Sequence, residues 1–129
     1  MRRRTLLAGA PLALAACSRG GPDGVRGEPI RNYDNIPFLG VATADQREDQ
    51  IQRAAIAQRW VVQVIRPRVL RATYTLRRYQ AVVDIPYTRD TFSIRYVTST
   101  NLEGTPGYVL RDYNEWVDRL QRGIVTGRA

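Results

Sequence analysis

The chain has 129 residues, the length of one small domain, and its 43% hydrophobic and 25% charged residues are ordinary for a globular fold. All 20 basic residues are arginine, set against 12 acidic ones for a net charge of +8, and there is no lysine and no histidine. The missing histidine removes the commonest general base, metal ligand and pH switch, and the missing lysine removes Schiff-base chemistry and a phosphate-loop lysine.

Met1-Arg2-Arg3-Arg4 is a short positive stretch, followed by the apolar run "TLLAGAPLALAA" with Gly9 and Pro11 inside it. This run suits a signal peptide and falls short of the ~20 apolar residues of a spanning helix. It ends in Leu14-Ala15-Ala16-Cys17, and Cys17 is the only cysteine. A buried structural role for Cys17 is disfavoured, because Gly20, Gly21, Pro22 and Gly24 follow and build no core around it. Leucine, two small residues and cysteine directly after an apolar run resemble the lipobox of bacterial lipoproteins. The resemblance implies that residues 1–16 are a signal peptide cut before Cys17, that the Cys17 thiol carries a diacylglycerol, and that the new amine is acylated. It also implies a lipid-anchored protein of the cell envelope. Ser18, rather than aspartate, at the second mature position points to the outer membrane, facing the periplasm. Losing Arg2, Arg3 and Arg4 would lower the net charge from +8 to +5. Arg3-Arg4-Thr5-Leu6-Leu7 is also loosely similar to a twin-arginine export signal, so the export route stays open.

Ser18 to Ile36 carries Gly20, Gly21, Pro22, Gly24, Gly27 and Pro29 and reads as a flexible tether with a root-mean-square span of about 25 Å. The expected organisation is therefore signal peptide 1–16, lipidated Cys17 and tether 17–36, and one domain over 37–126. "TADQ" predicts a capped helix, with Thr43 as N-cap and Gln46 three residues on. Ile51, Ala54, Ala55 and Gln58 share its packing face, and Arg47, Asp49, Arg53 and Arg59 lie off that face. Four strands follow, over 60–65, 69–76, 79–87 and 91–99. Alternation is clear in the last three: Leu70, Ala72, Tyr74 and Leu76, then Ala81, Val83 and Ile85, then Phe92, Ile94 and Tyr96 form one apolar face. Short connections require antiparallel pairing. Tyr113, Trp116, Val117, Leu120 and Ile124 recur at helical spacing and predict a last helix, with Gly123 and Gly127 marking its end. The expected fold is α+β in the order α-β-β-β-β-α, a four-stranded antiparallel meander with two helices on one face.

"VVDIPYTRDTFSIRYVTSTNL" followed by "YVLRDYNEWVDRL" resembles a family of small uncharacterised proteobacterial lipoproteins with a tyrosine-rich strand, a Ser-x-Asn-Leu turn and a Tyr-Asn-x-Trp-Val helix. The matching residues are Tyr96, Ser99 or Thr100, Asn101, Leu102, Tyr113, Asn114, Trp116 and Val117, and the likeness covers residues 30 to 124. Leu110 stands where that family often has a histidine. The resemblance implies the fold and an envelope location and carries no activity.

Candidate site residues come from strand register. With Arg77-Arg78 as a two-residue turn, Leu76 faces Tyr79, and Arg71 faces Asp84. With 88–91 as a four-residue loop, Tyr87 faces Phe92, Ile85 meets Ile94, and Asp84 meets Arg95. Arg71, Asp84 and Arg95 then form one row on the polar face, flanked by Thr73 and Ser93. The plainer reading is a cross-strand ion-pair ladder; the sharper one is a partner-binding face with guanidinium donors to spare. Trp60, Tyr74, Tyr96, Tyr113 and Trp116 read as core before ligand platform, and Asn101 as a turn residue before a site residue. Asp84, Asp90 and Glu103 are the carboxylates a hydrolase would need, but their spacing puts no two around one bond. No catalytic residue, metal ligand or cofactor is expected. The expected function is a non-catalytic, membrane-anchored envelope lipoprotein that binds another envelope component, either a protein or an anionic glycan or lipid, and not nucleic acid; the alternative is a carboxylate-dependent envelope hydrolase.

Overall fold

The computed structural model describes residues 27–127; the N-terminal apolar run and Cys17 lie outside them. The elements are β1 (Glu28–Pro29), β2 (Tyr33–Pro37), α1 (Ala44–Ala57), β3 (Val61–Arg66), β4 (Val69–Leu76), β5 (Tyr79–Pro86), β6 (Thr91–Thr100), β7 (Tyr108–Val109) and α2 (Arg111–Thr126). The fold is α+β. Strands β3 to β6 form an antiparallel meander, and β2 adds a fifth strand on the free edge of β6, in the order β2-β6-β5-β4-β3. β1 pairs with β7 in a separate two-stranded ribbon.

The expected tether is corrected here: from Glu28 to Ile36 the chain belongs to the fold. Its strand character was hidden by a bulge. Tyr33 pairs with Ile94 and Ile36 with Phe92, so the two core-facing residues stand three apart and break the period of two that marks a strand. Asn35 takes the left-handed φ of +51° in the bulge, a conformation asparagine tolerates better than most residues.

The β4–β5 register is as expected, from Leu76 opposite Tyr79 to Leu70 opposite Ile85. In the next hairpin Tyr87 faces Phe92 and Asp84 faces Arg95, also as expected. Past Val83 the pairing slips by one residue, because Val97 bulges out between Tyr96 and Thr98.

One core joins the apolar sheet face to both helices. Leu70, Ala72, Ala81, Val83, Ile85 and Ile94 are fully buried against Ile51 and Ala55 of α1 and Tyr113, Val117, Leu120 and Ile124 of α2. The capping box at α1 forms as expected: the Gln46 N–H donates to Thr43 Oγ1 at 3.1 Å, and the Thr43 N–H donates to Gln46 Oε1 at 2.8 Å. Arg47, expected off the packing face, is instead buried. Its guanidinium stacks on Phe38 at 4.3 Å and donates to the carbonyls of Arg89 at 2.8 Å and Gly40 at 2.8 Å and to Gln50 Oε1 at 3.0 Å. A planar fork of donors can collect several carbonyls at once, which offsets the cost of burying the charge and ties α1 to two loops.

Candidate functional site

Alternation in each strand leaves one sheet face away from the helices, and pairing lines its side chains up in rows. Gln63, Arg71, Asp84 and Arg95 stand abreast on β3, β4, β5 and β6. Val61, Thr73, Val82 and Thr98 form the next row, and Thr75, Gln80 and Thr100 the third. All are half-buried or exposed.

Arg71 and Asp84 make a two-pronged bond, Nε to Oδ1 at 2.7 Å and Nη2 to Oδ2 at 3.0 Å. The bond to Asp84 raises the Arg71 pKa, so the guanidinium stays charged at any working pH. Arg95 does not share Asp84. Its Nη2 lies 2.9 Å from Oδ1 of Asp34 on β2. The row therefore alternates Arg71, Asp84, Arg95, Asp34 and carries no net charge, where the sequence alone suggested two arginines over one aspartate. Arg95 and Asp34 are 57% and 60% exposed, so their pair contributes only tenths of a kcal/mol. Thr73 stays on the open face as expected. Ser93 lies on the same side of β6 as Arg95 but is buried there, its Oγ accepting the Asn35 N–H at 3.0 Å.

The three carboxylates of the hydrolase reading are not brought together. Asp84 is held in the ladder, Asp90 sits in the β5–β6 turn beside Arg89 at 3.9 Å, and Glu103 lies beyond the other end of β6, bridged to Val109. Among the described residues no group of three His, Cys, Asp or Glu side chains is placed to hold a metal ion, and no helix is long and apolar enough to cross a membrane.

The residues of the tyrosine-rich and Tyr-Asn-x-Trp-Val motifs serve packing. Asn101 adopts a φ of +62° and donates through Nδ2 to the Arg78 carbonyl at 2.7 Å. Buried Asn114 accepts the Arg31 N–H at 3.0 Å and donates to the Pro29 carbonyl at 2.9 Å, fastening the N-terminal segment to α2. The Tyr96 and Ser99 hydroxyls bond at 2.8 Å.

A concavity on the helical side gathers three of the aromatics for which a ligand platform was the less favoured expectation. It has a volume of about 380 Å³ at the C-terminal end of α1 and is lined by Trp60, Tyr74 and Trp116 and by Arg59, Arg119 and Arg122. Tyr74 meets Trp116 edge to face at 4.7 Å and lies tilted by 39° against Trp60 at 5.3 Å. The sequence named these aromatics as core, and Trp60 and Trp116 are indeed buried, while Tyr74 is half-buried. The three arginines come from a turn and two helical positions, and no local motif unites them.

Comparisons with protein-family models, with curated proteins and with solved structures find no match for this chain.

Proposed function

We propose that the chain is a non-catalytic, lipid-anchored protein of the bacterial envelope that binds another envelope component through the open polar face of its sheet. The anchor rests on Leu14-Ala15-Ala16-Cys17 directly after the apolar run, and Ser18 supports the outer membrane facing the periplasm. The binding role rests on one observation: both helices pack on one face of the sheet and leave the other as rows of mainly polar side chains around a charge ladder. The exposed Arg95–Asp34 pair can exchange its internal partner for an external one at little cost, since exposed pairs contribute so little. A row that alternates in sign matches a polar protein surface better than a polyanion.

Two measurements test the two halves of this reading. Cells expressing the wild-type chain and Cys17→Ala are labelled with a fatty-acid analogue and fractionated; label and processing should vanish in the variant, and undiminished label would overturn the anchor. For the face, partner crosslinking from a photoreactive residue at Thr98 is compared between wild type and Arg71→Ala/Arg95→Ala. Crosslinking should fall while the melting temperature holds, and equal crosslinking would overturn the face.

A further inference from the structure

The cavity bounded by Arg59, Arg119 and Arg122 has the chemistry of a ligand site, and it is separate from the open sheet face. Among the described residues, every charged side chain lining it is an arginine. Arg122 is paired with Asp118, one turn back on α2. Arg59 and Arg119 are both exposed, and neither makes an ion pair among the described residues.

The wall that presents these arginines is fixed by the backbone. Arg59 sits at φ +73°, just past the end of α1, with its N–H donating to the Ile56 carbonyl at 2.9 Å. Beside it, Gln58 Nε2 donates to the Arg119 carbonyl at 3.0 Å and so joins the two arginine-bearing segments. A non-glycine residue at positive φ is uncommon and costs stability unless its surroundings hold it there. The half-buried Tyr74 and the buried Trp60 and Trp116 also line the cavity.

We propose that this cavity binds a phosphomonoester carried on a sugar-sized ring. Two uncompensated guanidinium groups match a dianion better than a single carboxylate, and arginine pairs with phosphate oxygens in a two-pronged geometry. The volume is at the small end of ligand pockets, which run from about 300 Å³ upward, so a phosphate and one ring suffice to fill it. The apolar face of the ring packs on Tyr74. A free sugar phosphate and the headgroup of a phosphorylated glycolipid share this chemistry.

The chain has two tryptophans, and both line the cavity, so selectively excited tryptophan emission reports on this site. The full-length lipidated chain, held in phosphatidylcholine vesicles, is titrated with glucose 1-phosphate, with glucose and with inorganic phosphate. Glucose 1-phosphate should change tryptophan emission saturably, with glucose and inorganic phosphate each at least about tenfold weaker. Arg59→Gln and Arg119→Gln should each weaken glucose 1-phosphate about tenfold with unchanged far-ultraviolet circular dichroism, because both side chains are exposed. A second arm replaces the soluble ligand with a monophosphorylated disaccharide glycolipid in the vesicles; a response there with none to glucose 1-phosphate assigns the site to a headgroup. No saturable response in either arm, or the same response in both arginine variants, overturns the proposal.

Discussion

Tyr113 is fully buried, edge-on to the Tyr96 ring at 5.3 Å, and its hydroxyl has no hydrogen-bond partner among the described residues. A buried unpaired hydroxyl costs free energy, so Tyr113→Phe should raise stability by about 1 kcal/mol. The urea midpoint of the variant checks this; a fall of the same size would mean that the hydroxyl bonds a buried water. Tyr87 is the contrasting case. It is also buried, but its hydroxyl donates to Glu48 Oε1 at 2.7 Å. Burial first, and then the bond to Glu48, push its pKa up from 10 to about 12. Burial pushes Tyr113 up as well. In both, the fold holds the neutral phenol. Their contribution to stability is therefore complete below pH 10, the unfolded value, and is lost as pH rises through about 12 for Tyr87. Urea midpoints taken between pH 8 and pH 12 should stay level to about pH 10 and then fall. Tyr87→Phe should start lower, having lost the bond to Glu48, and fall less steeply; a decline as steep as that of wild type would show that Tyr87 ionises freely in the fold.

The two helices meet where α2 carries Gly123, and a Cβ there would stand 2.5 Å from Gln58 Nε2 and 3.9 Å from the Ala54 Cβ. Two effects of similar size oppose one another in Gly123→Ala. Alanine gains roughly 1 kcal/mol of helix propensity over glycine, and displacing Gln58 forfeits its bond to the Arg119 carbonyl, worth about the same. The single variant should thus be close to neutral. In a Gln58→Ala background only the gain remains, and Gly123→Ala should stabilise by about 0.5–1 kcal/mol. Denaturant melts of the four proteins measure the coupling; additive effects would show that Gln58 does not sense the Cβ. Gly123 and Gly127 were both expected to mark the end of the helix; Gly127 is the left-handed cap, at φ +70°, while Gly123 lies inside the helix. Sequence periodicity cannot tell a stop from a close crossing. What it resolved well were elements with an unbroken period. The 3.6-residue stripe of α2 from Tyr113 to Ile124 is all core, and the β4–β5 pairs stand in register along their length. What it missed depended on bulges and distant partners. β2 was unreadable because Tyr33 and Ile36 flank a bulge, and the Asp34 partner of Arg95 and the burial of Ser93 were lost with it. Of the five residues expected on the open face, Ser93 alone is buried; Arg71, Thr73, Asp84 and Arg95 stand as expected, because the meander alone sets their register.

At the scale of the molecule, the proposed lipid anchor raises the question whether the excess of arginine adds a membrane contact of its own. The chain joins the fold at Glu28, beside Asn114 in the first turn of α2. The turn of Arg77 and Arg78 lies at the same end, since Asn101 bonds the Arg78 carbonyl and Leu102 accepts the Leu110 N–H at 2.9 Å. Arg31, Arg77, Arg78 and Arg111 gather there, but so do Glu28, Glu103, Asp112 and Glu115, with Arg111 3.6 Å from Glu28. Attraction to anionic lipid is worth about 1 kcal/mol per basic residue near the surface only where basic charge is unbalanced. Here it is balanced. Membrane attachment should therefore depend on acyl chains at Cys17 rather than on charge. A chain beginning at Ser18 should sediment with neither phosphatidylcholine nor phosphatidylglycerol vesicles at physiological ionic strength, while the lipidated chain should sediment with both. Binding of the chain from Ser18 to phosphatidylglycerol more than about tenfold above phosphatidylcholine, and lost on raising the salt, would place a basic membrane contact on the folded surface and contradict this charge balance.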